Sequence, residues 1–209
     1  MRFIGSKKLL TNHIEKVIQD NLGSSKKAKV FCDIFSGTAS VGNYFKKRYS
    51  VISNDVLYFS YVLQKAQIEQ NKLPTFNKLK KIGISDPFFF LNHLETPKKI
   101  TKNNFFIYEN FSPHSRCDRQ YLTNENAIHI DQIRLQLNTW LETKVISSSD
   151  YFFLLASLID YVPSVSNIAG TYGAFLKNWD KRAFKDIELS PLPTYDNKKK
   201  NKCLLKPNQ

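Results

Sequence analysis

The stretch from Lys29 to Gly42 constrains the fold of this chain most, because its hydrophobic pattern changes at a glycine. It opens with a short run of β-branched and aromatic residues, turns at Gly37, and then carries Val41 and Phe45 at helical spacing. A glycine at such a turn lets the backbone approach a ligand, and the N–H groups at a helix start have no intrahelical partner. The pattern therefore predicts a buried strand, a ligand-binding turn and a helix, the opening of an α/β fold.

A second strand candidate, residues 50–55, ends in the carboxylate of Asp55, 18 residues after Gly37. In a βαβ unit this carboxylate lies beside the first turn, where it can accept two hydrogen bonds from ribose hydroxyls. A Rossmann-type oxidoreductase is a weak alternative, because the sequence contains no G-x-G-x-x-G segment. The spacing thus favours a nucleoside-containing ligand at one edge of a sheet.

Three segments in order resemble the S-adenosylmethionine-dependent DNA methyltransferases. Asp33-Ile-Phe-Ser-Gly37 is similar to motif I of the adenine-N6 (D12) branch, and Asp55 is similar to motif II. Residues 2–7, Arg-Phe-Ile-Gly-Ser-Lys, look like motif X, in which an aromatic residue and a lysine border the methionine end of the cofactor. The resemblance implies S-adenosylmethionine as the cofactor and a set of contacting residues: Phe3, Gly5, Lys7, Asp33, Gly37 and Asp55.

The net charge of +13 favours a polyanionic partner, most simply nucleic acid, with a membrane surface as the competing interpretation. The longest apolar run, residues 151–162, is interrupted by Asp160 and is shorter than the ~20 residues of a membrane span. Cys32, Cys117 and Cys203 have no metal-binding spacing. We expect a cytoplasmic protein that binds no metal and no membrane.

Two polar segments are candidates for contacting double-stranded DNA. Residues 108–131 mix basic, amide and aromatic side chains, and residues 166–177 resemble the asparagine-glycine-aromatic segment that closes the target-recognition region in this branch. An ordinary surface loop and a glycine-rich turn remain the alternatives. The predicted DNA-binding residues are Arg116, Arg119, Asn167, Tyr172, Lys177 and Arg182.

The family's catalytic motif, Asp/Asn-Pro-Pro-Tyr/Phe, has a single partial match at residues 86–89, Asp-Pro-Phe-Phe. This match lacks the second proline and comes only 31 residues after Asp55, too early for the fourth strand. Asp-Pro before an apolar run is also a common helix start, which we predict here. The family pattern calls for two further strands after Pro191, so we assign no catalytic residue and expect a truncated or split enzyme that is inactive alone.

We predict a partial Rossmann-like methyltransferase fold with three regions: a cofactor-binding part at 1–75, a mostly helical target-recognition region at 76–190, and a basic, disordered tail at 191–209. An amphipathic helix over residues 6–22 is expected to pack on the sheet. The predicted function is adenine-N6 methylation of DNA in a restriction–modification system. The alternative is a non-catalytic recognition subunit that works with a second polypeptide.

Overall fold

The computed structural model describes residues 5–22, 28–97, 100, 104–170 and 173–206, which fall into two compact units. The sheet unit contains residues 5–74 and 192–209, and the helical unit contains residues 75–191. The units divide after residues 74 and 191, and the division into functional regions after residues 75 and 190 stays a prediction. The last segment, however, belongs to the sheet unit and is not a separate region.

The sheet unit has three parallel strands in the order β1-β2-β3. Val30 of β1 pairs with Ser50 of β2, and Ile52 of β2 pairs with Lys202 of β3. Together with the helices, this sheet makes the fold α/β, as predicted. The elements are β1 (Val30–Asp33), β2 (Ser50–Asp55), β3 (Lys202–Leu205), α1 (Thr11–Leu22), α2 (Ser40–Phe45) and α3 (Tyr58–Gln64), the last continuing into a π-helical turn (Lys65–Glu69).

Close packing of α2 on the sheet explains its glycine. A Cβ added at Gly42 would lie 3.0 Å from Cδ1 of Ile68 and 3.5 Å from Cγ1 of Val51, so even a methyl group would require the Ile68 side chain to shift by a few tenths of an ångström. On the same helix, Phe45 stacks on Phe31 of β1 with ring centroids 4.2 Å apart. These contacts hold the turn between β1 and α2 on a rigid base.

The prediction of a disordered tail is wrong for Lys202–Leu205, which forms β3. Cys203 and Asn201 are buried, and Asn201 Oδ1 accepts a 2.9 Å hydrogen bond from the Val51 amide. The lysine-rich composition hid a strand whose partner lies 150 residues earlier. Pairing with a distant strand is a tertiary effect that local composition does not report.

α1 lies against α2, where Tyr44 Oη donates a 2.9 Å hydrogen bond to Asn12 Oδ1, and its packing on the strands themselves stays a prediction. Thr11 is the buried residue of this helix, whereas Leu10, Val17 and Leu22 are each between 42% and 48% exposed. The helical periodicity predicted the helix and its apolar stripe, in which Ile14 and Ile18 are half-buried and these three residues are exposed.

The helical unit is built around two long helices, α7 (Asn124–Glu142) and α8 (Ser148–Tyr161). Ser147 and Asp150 form a reciprocal capping box at the start of α8. The buried carboxylate of Asp131 in α7 accepts a 2.9 Å hydrogen bond from the Tyr108 amide. The remaining helices are α4 (Asn77–Lys81), α5 (Pro87–Asn92), α6 (Phe106–Phe111) and the short 3₁₀ turns Val162–Ser164 and Lys181–Phe184.

Candidate cofactor site and nucleic-acid interface

Asp55 lies at the carboxyl end of β2, beside the turn that follows β1. Its Oδ2 accepts a 2.8 Å hydrogen bond from the Gly37 amide, and its Oδ1 accepts a 2.9 Å bond from the Leu57 amide. The turn at Gly37 has φ of +50°, in the left-handed region that favours glycine. The position of Asp55 is the one that the sequence predicted, and its ribose-binding role stays a prediction.

Asp33 ends β1 at the same edge of the sheet. Ser36 Oγ donates a 3.3 Å hydrogen bond to its Oδ2. Burial raises the pKa of the Asp33 carboxyl, hydrogen bonds including the one from Ser36 oppose the shift, and the nearby Asp55 carboxylate adds to it. Two carboxyl groups and a left-handed glycine therefore converge at the carboxyl ends of β1 and β2, where parallel sheets bind ligands.

Three hydroxyl groups bring the N-terminal segment to this edge. Ser6 Oγ lies 3.1 Å from Ser40 Oγ, which lies 2.9 Å from Thr38 Oγ1. Gly5 and Lys7 flank Ser6 and are exposed, whereas Phe3 lies outside the described residues. The sequence interpretation missed the hydroxyl cluster, although its signal was Thr38 and Ser40, both within three residues after Gly37.

The two predicted DNA-binding segments lie side by side in the helical unit. His114 pairs with Cys117 in a tight turn, which places Arg116 near its tip, and Ile168 pairs with Phe175 across the second loop. The ring of Tyr121, four residues after the first turn, meets the ring of Phe175 edge-on at 5.2 Å. We refer to these as the arginine loop (residues 114–121) and the glycine loop (residues 167–177).

Asn167 joins the two loops from inside the protein. Its side chain is fully buried, and its Nδ2 donates to the carbonyls of Gln120 (3.0 Å) and Leu176 (2.9 Å). Its Oδ1 accepts a 2.9 Å hydrogen bond from the Asp180 amide. The donors and acceptor of this amide are thus occupied by backbone, so we revise the prediction that Asn167 contacts DNA: the residue positions the loops.

Arg182 also binds other groups of the helical unit. Its Nε lies 3.2 Å from Oδ2 of Asp180, its guanidinium donates to the Ile168 carbonyl, and its side chain is only 17% exposed. The predicted phosphate contact by Arg182 therefore needs revision, because burial and this ion pair leave little of the guanidinium accessible.

Among the other predicted DNA contacts, Arg116 and Arg119 are exposed on the arginine loop. Arg116 is 61% exposed, although it makes a two-pronged ion pair with Glu109 at 2.6 and 2.8 Å, and Arg119 donates to the Asn110 carbonyl at 3.1 Å. Lys177 is exposed on the arm that leaves the glycine loop. Tyr172 lies outside the described residues.

Comparison with known proteins decides the family. Residues 3–205 match the family model of the D12 class N6 adenine-specific DNA methyltransferases. The chain belongs to this family. It is 50% identical over 202 residues to the type II methyltransferase M.FokI of Planomicrobium okeanokoites and 45% identical over 204 residues to the modification methylase StsI of Streptococcus sanguinis. It is 38% identical over 192 residues to the type II methyltransferase M.NlaIII of Neisseria lactamica.

This D12-class chain spans only part of its relatives. The matches cover 97% of the chain but 30% of M.FokI and of StsI, and 91% of the chain but 54% of M.NlaIII. These relatives are modification methylases, which is consistent with a restriction–modification lineage. No solved structure matches the chain significantly.

The partial match to the D12 catalytic motif is a helix start, as predicted. Asp86 is the N-cap of α5, and its Oδ1 accepts hydrogen bonds from the amides of Phe88 (2.8 Å) and Phe89 (3.1 Å). Pro87 occupies the first helical turn, where its missing N–H costs nothing. The Asp86 oxygen that a catalytic motif would use to hold a substrate amine is instead used by the helix.

Within the described part of the D12-class chain, no three histidine, cysteine or acidic side chains come together as metal ligands. The same residues include no helix that is long and apolar enough to cross a membrane.

Proposed function

We propose that this chain forms the cofactor-binding and DNA-recognition parts of an adenine-N6-specific DNA methyltransferase of a restriction–modification system. Bound S-adenosylmethionine would supply an electrophilic methyl group for the N6 amine of an adenine rotated out of double-stranded DNA. The observation that carries the proposal is the hydrogen bond from the Gly37 amide to Asp55, which joins the motif I turn to the motif II acid. A cytoplasmic location accompanies a DNA substrate in this proposal.

The cofactor's ribose fits the carboxylate of Asp55. Each oxygen of that carboxylate accepts one backbone hydrogen bond and keeps a second lone pair for a ribose hydroxyl. The two amides fix the carboxylate before the ligand arrives, so little side-chain freedom is lost on binding. Asp33 and Gly37 form the adjoining wall of the crevice.

The methionine end of the cofactor fits the N-terminal segment. Lys7 is exposed beside Ser6, whose hydroxyl belongs to the cluster with Thr38 and Ser40. An ammonium group and nearby hydroxyl donors suit the carboxylate of the methionine moiety. The N-terminal segment would thus close one side of the cofactor crevice.

Calorimetric titration of S-adenosylmethionine tests the cofactor site. Asp55→Asn should weaken binding at least tenfold, because one oxygen that accepts from ribose becomes a donor. Asp20→Asn is the matched control, since Asp20 is an exposed acid of α1 and undergoes the same charge change. Urea unfolding of both variants would separate a lost contact from lost structure. If the wild type and a folded Asp55→Asn protein bind S-adenosylmethionine with equal affinity, the assignment of Asp55 to the ribose is contradicted.

For DNA, we propose contacts from Arg116, Arg119 and Lys177, with Asn167 and Arg182 supporting the loops behind them. Arginine side chains can pair with guanine edges or phosphates, and lysine acts as a point charge on phosphate. Arg116→Ala should relax sequence preference, whereas Lys177→Ala should weaken binding to all duplexes and lower the salt slope by about 1. Binding measured by fluorescence anisotropy at several salt concentrations would distinguish the two effects.

A second candidate role, a subunit completed by another polypeptide, is favoured by the open edge of β1. Within the described residues β1 pairs with β2 on one side only, and Val30 and Phe35 are 53% and 73% exposed. The N–H and C=O groups at an unpaired edge of a sheet can pair with another strand, so this edge could accept one further strand. A tritiated-methyl transfer assay tests the role: incorporation only after the remaining catalytic half is added supports it, and incorporation by this chain alone contradicts it.

A further inference from the structure

The basic segment before β3 is a loop whose conformation is defined by hydrogen bonds. Asn197 and Asn201 pair through both side-chain amides at 3.1 Å, and Asn201 also donates to Asn71 Oδ1 at 3.0 Å. Asn197 Nδ2 donates to the Tyr49 carbonyl at 2.9 Å, and Asn71 Nδ2 donates to the Lys199 carbonyl at 2.9 Å. We call residues 196–202 the lysine loop. Its shape is fixed by this network of asparagine side chains.

The lysine loop joins other basic residues at the amino ends of the strands. The Ser50 amide donates to the Lys29 carbonyl at 3.0 Å, and Ser50 Oγ donates to the Lys200 carbonyl. Lys199 Nζ donates to the carbonyl of Arg48. The side chains of this basic patch are exposed: Lys29, Arg48, Lys198, Lys199 and Lys200.

Such a concentration of like charge is unfavourable without an anion. Arg48 pairs with Glu15, and Asp196 is the acid within the lysine loop, where it accepts from the Lys198 amide at 2.8 Å. Across residues 5–74 and 192–209, basic side chains outnumber acidic ones by 16 to six. Rigid presentation of neighbouring cations raises the local potential and attracts a polyanion.

The basic patch lies at the end of the sheet opposite the cofactor crevice. Asp55 closes the carboxyl end of β2, whereas Ser50 begins its amino end, about 17 Å away at the usual rise per residue. Because the two sites lie at opposite ends of the sheet, a straight duplex that presents its adenine at the crevice would not also lie across the patch.

We propose that the basic patch is a second, sequence-independent binding site for the phosphate backbone of double-stranded DNA. The choice of DNA among polyanions rests on the proposed function. Backbone contacts of this kind supply non-specific affinity and carry no sequence information. The patch would hold a flanking or separate duplex while the target adenine is at the crevice.

Salt-dependent binding to a duplex of G·C pairs, which contains no adenine, tests the proposal. Lys198→Gln/Lys200→Gln should weaken binding and lower the slope of log affinity against log salt by about 2, near 0.9 for each phosphate no longer neutralised. Lys8→Gln/Lys16→Gln is the control, because it removes the same charge from exposed positions near and within α1. Substitution is required because truncation after Asp196 would delete β3.

A smaller slope in the patch variant alone supports the proposal. If the two double variants lower the slope equally, the effect comes from net charge alone and the proposal is overturned. If neither variant changes the slope, the proposal is also overturned. Lys29→Gln/Lys200→Gln provides a second patch variant, and thermal unfolding verifies that each folds. Tighter patch-dependent binding to duplex RNA or to vesicles of anionic lipid would also overturn the assignment to DNA.

This test is separable from the test of the proposed function. The patch lies away from the cofactor crevice, so Lys198→Gln/Lys200→Gln should bind S-adenosylmethionine as the wild type does. A failure of the Asp55→Asn titration would remove the cofactor site and leave the basic patch standing. A failure of the salt-slope comparison would remove the patch alone.

Discussion

The Gly37 amide and the Asp55 carboxylate, 18 residues apart, meet through a 2.8 Å hydrogen bond at the carboxyl edge of the sheet. The bond requires Gly37 to hold φ at +50°, a conformation that costs a residue with a side chain roughly 1 kcal/mol. The shape of the proposed cofactor site therefore depends on one backbone conformation.

Gly37→Ala tests this dependence. The substitution should lower the free energy of unfolding by about 1 kcal/mol and weaken S-adenosylmethionine binding, because the strained turn moves its amide away from Asp55. Gly83→Ala is the matched control: Gly83 also has positive φ, at +89°, with open space around it, but lies in the helical unit. Urea unfolding should show similar losses of stability in the two variants. Calorimetry should show a loss of cofactor affinity only in Gly37→Ala.

Lys46 gives a prediction about pH. Its side chain is fully buried, its Nζ donates to the carbonyls of Gln67 and Gln70, and burial lowers its pKa to about 8. Between that value and about 10.5 in the unfolded chain, the unfolded state binds more protons, so stability rises with pH. Relative to Lys46→Met, the wild type should gain on the order of 3 kcal/mol from pH 7 to pH 10.5. If urea unfolding shows that the free energies of unfolding of the two proteins change with pH in parallel, the lowered pKa of Lys46 is contradicted.

Asn167→Asp should uncouple the arginine and glycine loops. The new carboxylate oxygen would face the carbonyls of Gln120 and Leu176, which now receive hydrogen bonds, at a cost of about 2–3 kcal/mol. We expect lower stability and weaker sequence preference, with most of the salt-dependent affinity retained. Asn178→Asp, at an exposed position in the same segment, carries the same chemical change without these partners. If both variants behave alike in anisotropy and unfolding experiments, Asn167 does not position the loops.

The open edge of β1 predicts self-association of the isolated chain. Exposed apolar residues on a strand with an unpaired edge favour pairing with another chain. Val30→Lys should reduce aggregation measured by light scattering, because a charge on an edge strand opposes pairing. Phe184→Lys, an exposed apolar position in the helical unit, is the comparison and should have a smaller effect. Equal improvement in the two variants would point to general surface hydrophobicity.

Features encoded by neighbouring residues could be predicted from the sequence. The turn at Gly37 and the helix start at Asp86 each depend on residues within a few positions of one another. Periodicity and cap chemistry are local properties, so a single sequence reports them. The same local signal placed Asp55 beside the first turn, because a βαβ unit fixes where its second strand ends.

Tertiary structure alone decided where distant segments meet. Asn71 and Asn201 bond across 130 residues and turn a lysine-rich segment into a fixed loop leading to β3. The sequence around Asn167 predicted a DNA contact. In the structure Asn167 is buried between two loops, and its side-chain amide hydrogen-bonds to backbone groups. A side chain's burial and partners depend on long-range packing, which the sequence near it does not encode. The sequence thus determined the family, the motif I turn and the sheet edge at which Asp33 and Asp55 meet. The tertiary structure decided which polar residues face solvent, because burial forces polar groups to pair inside the protein.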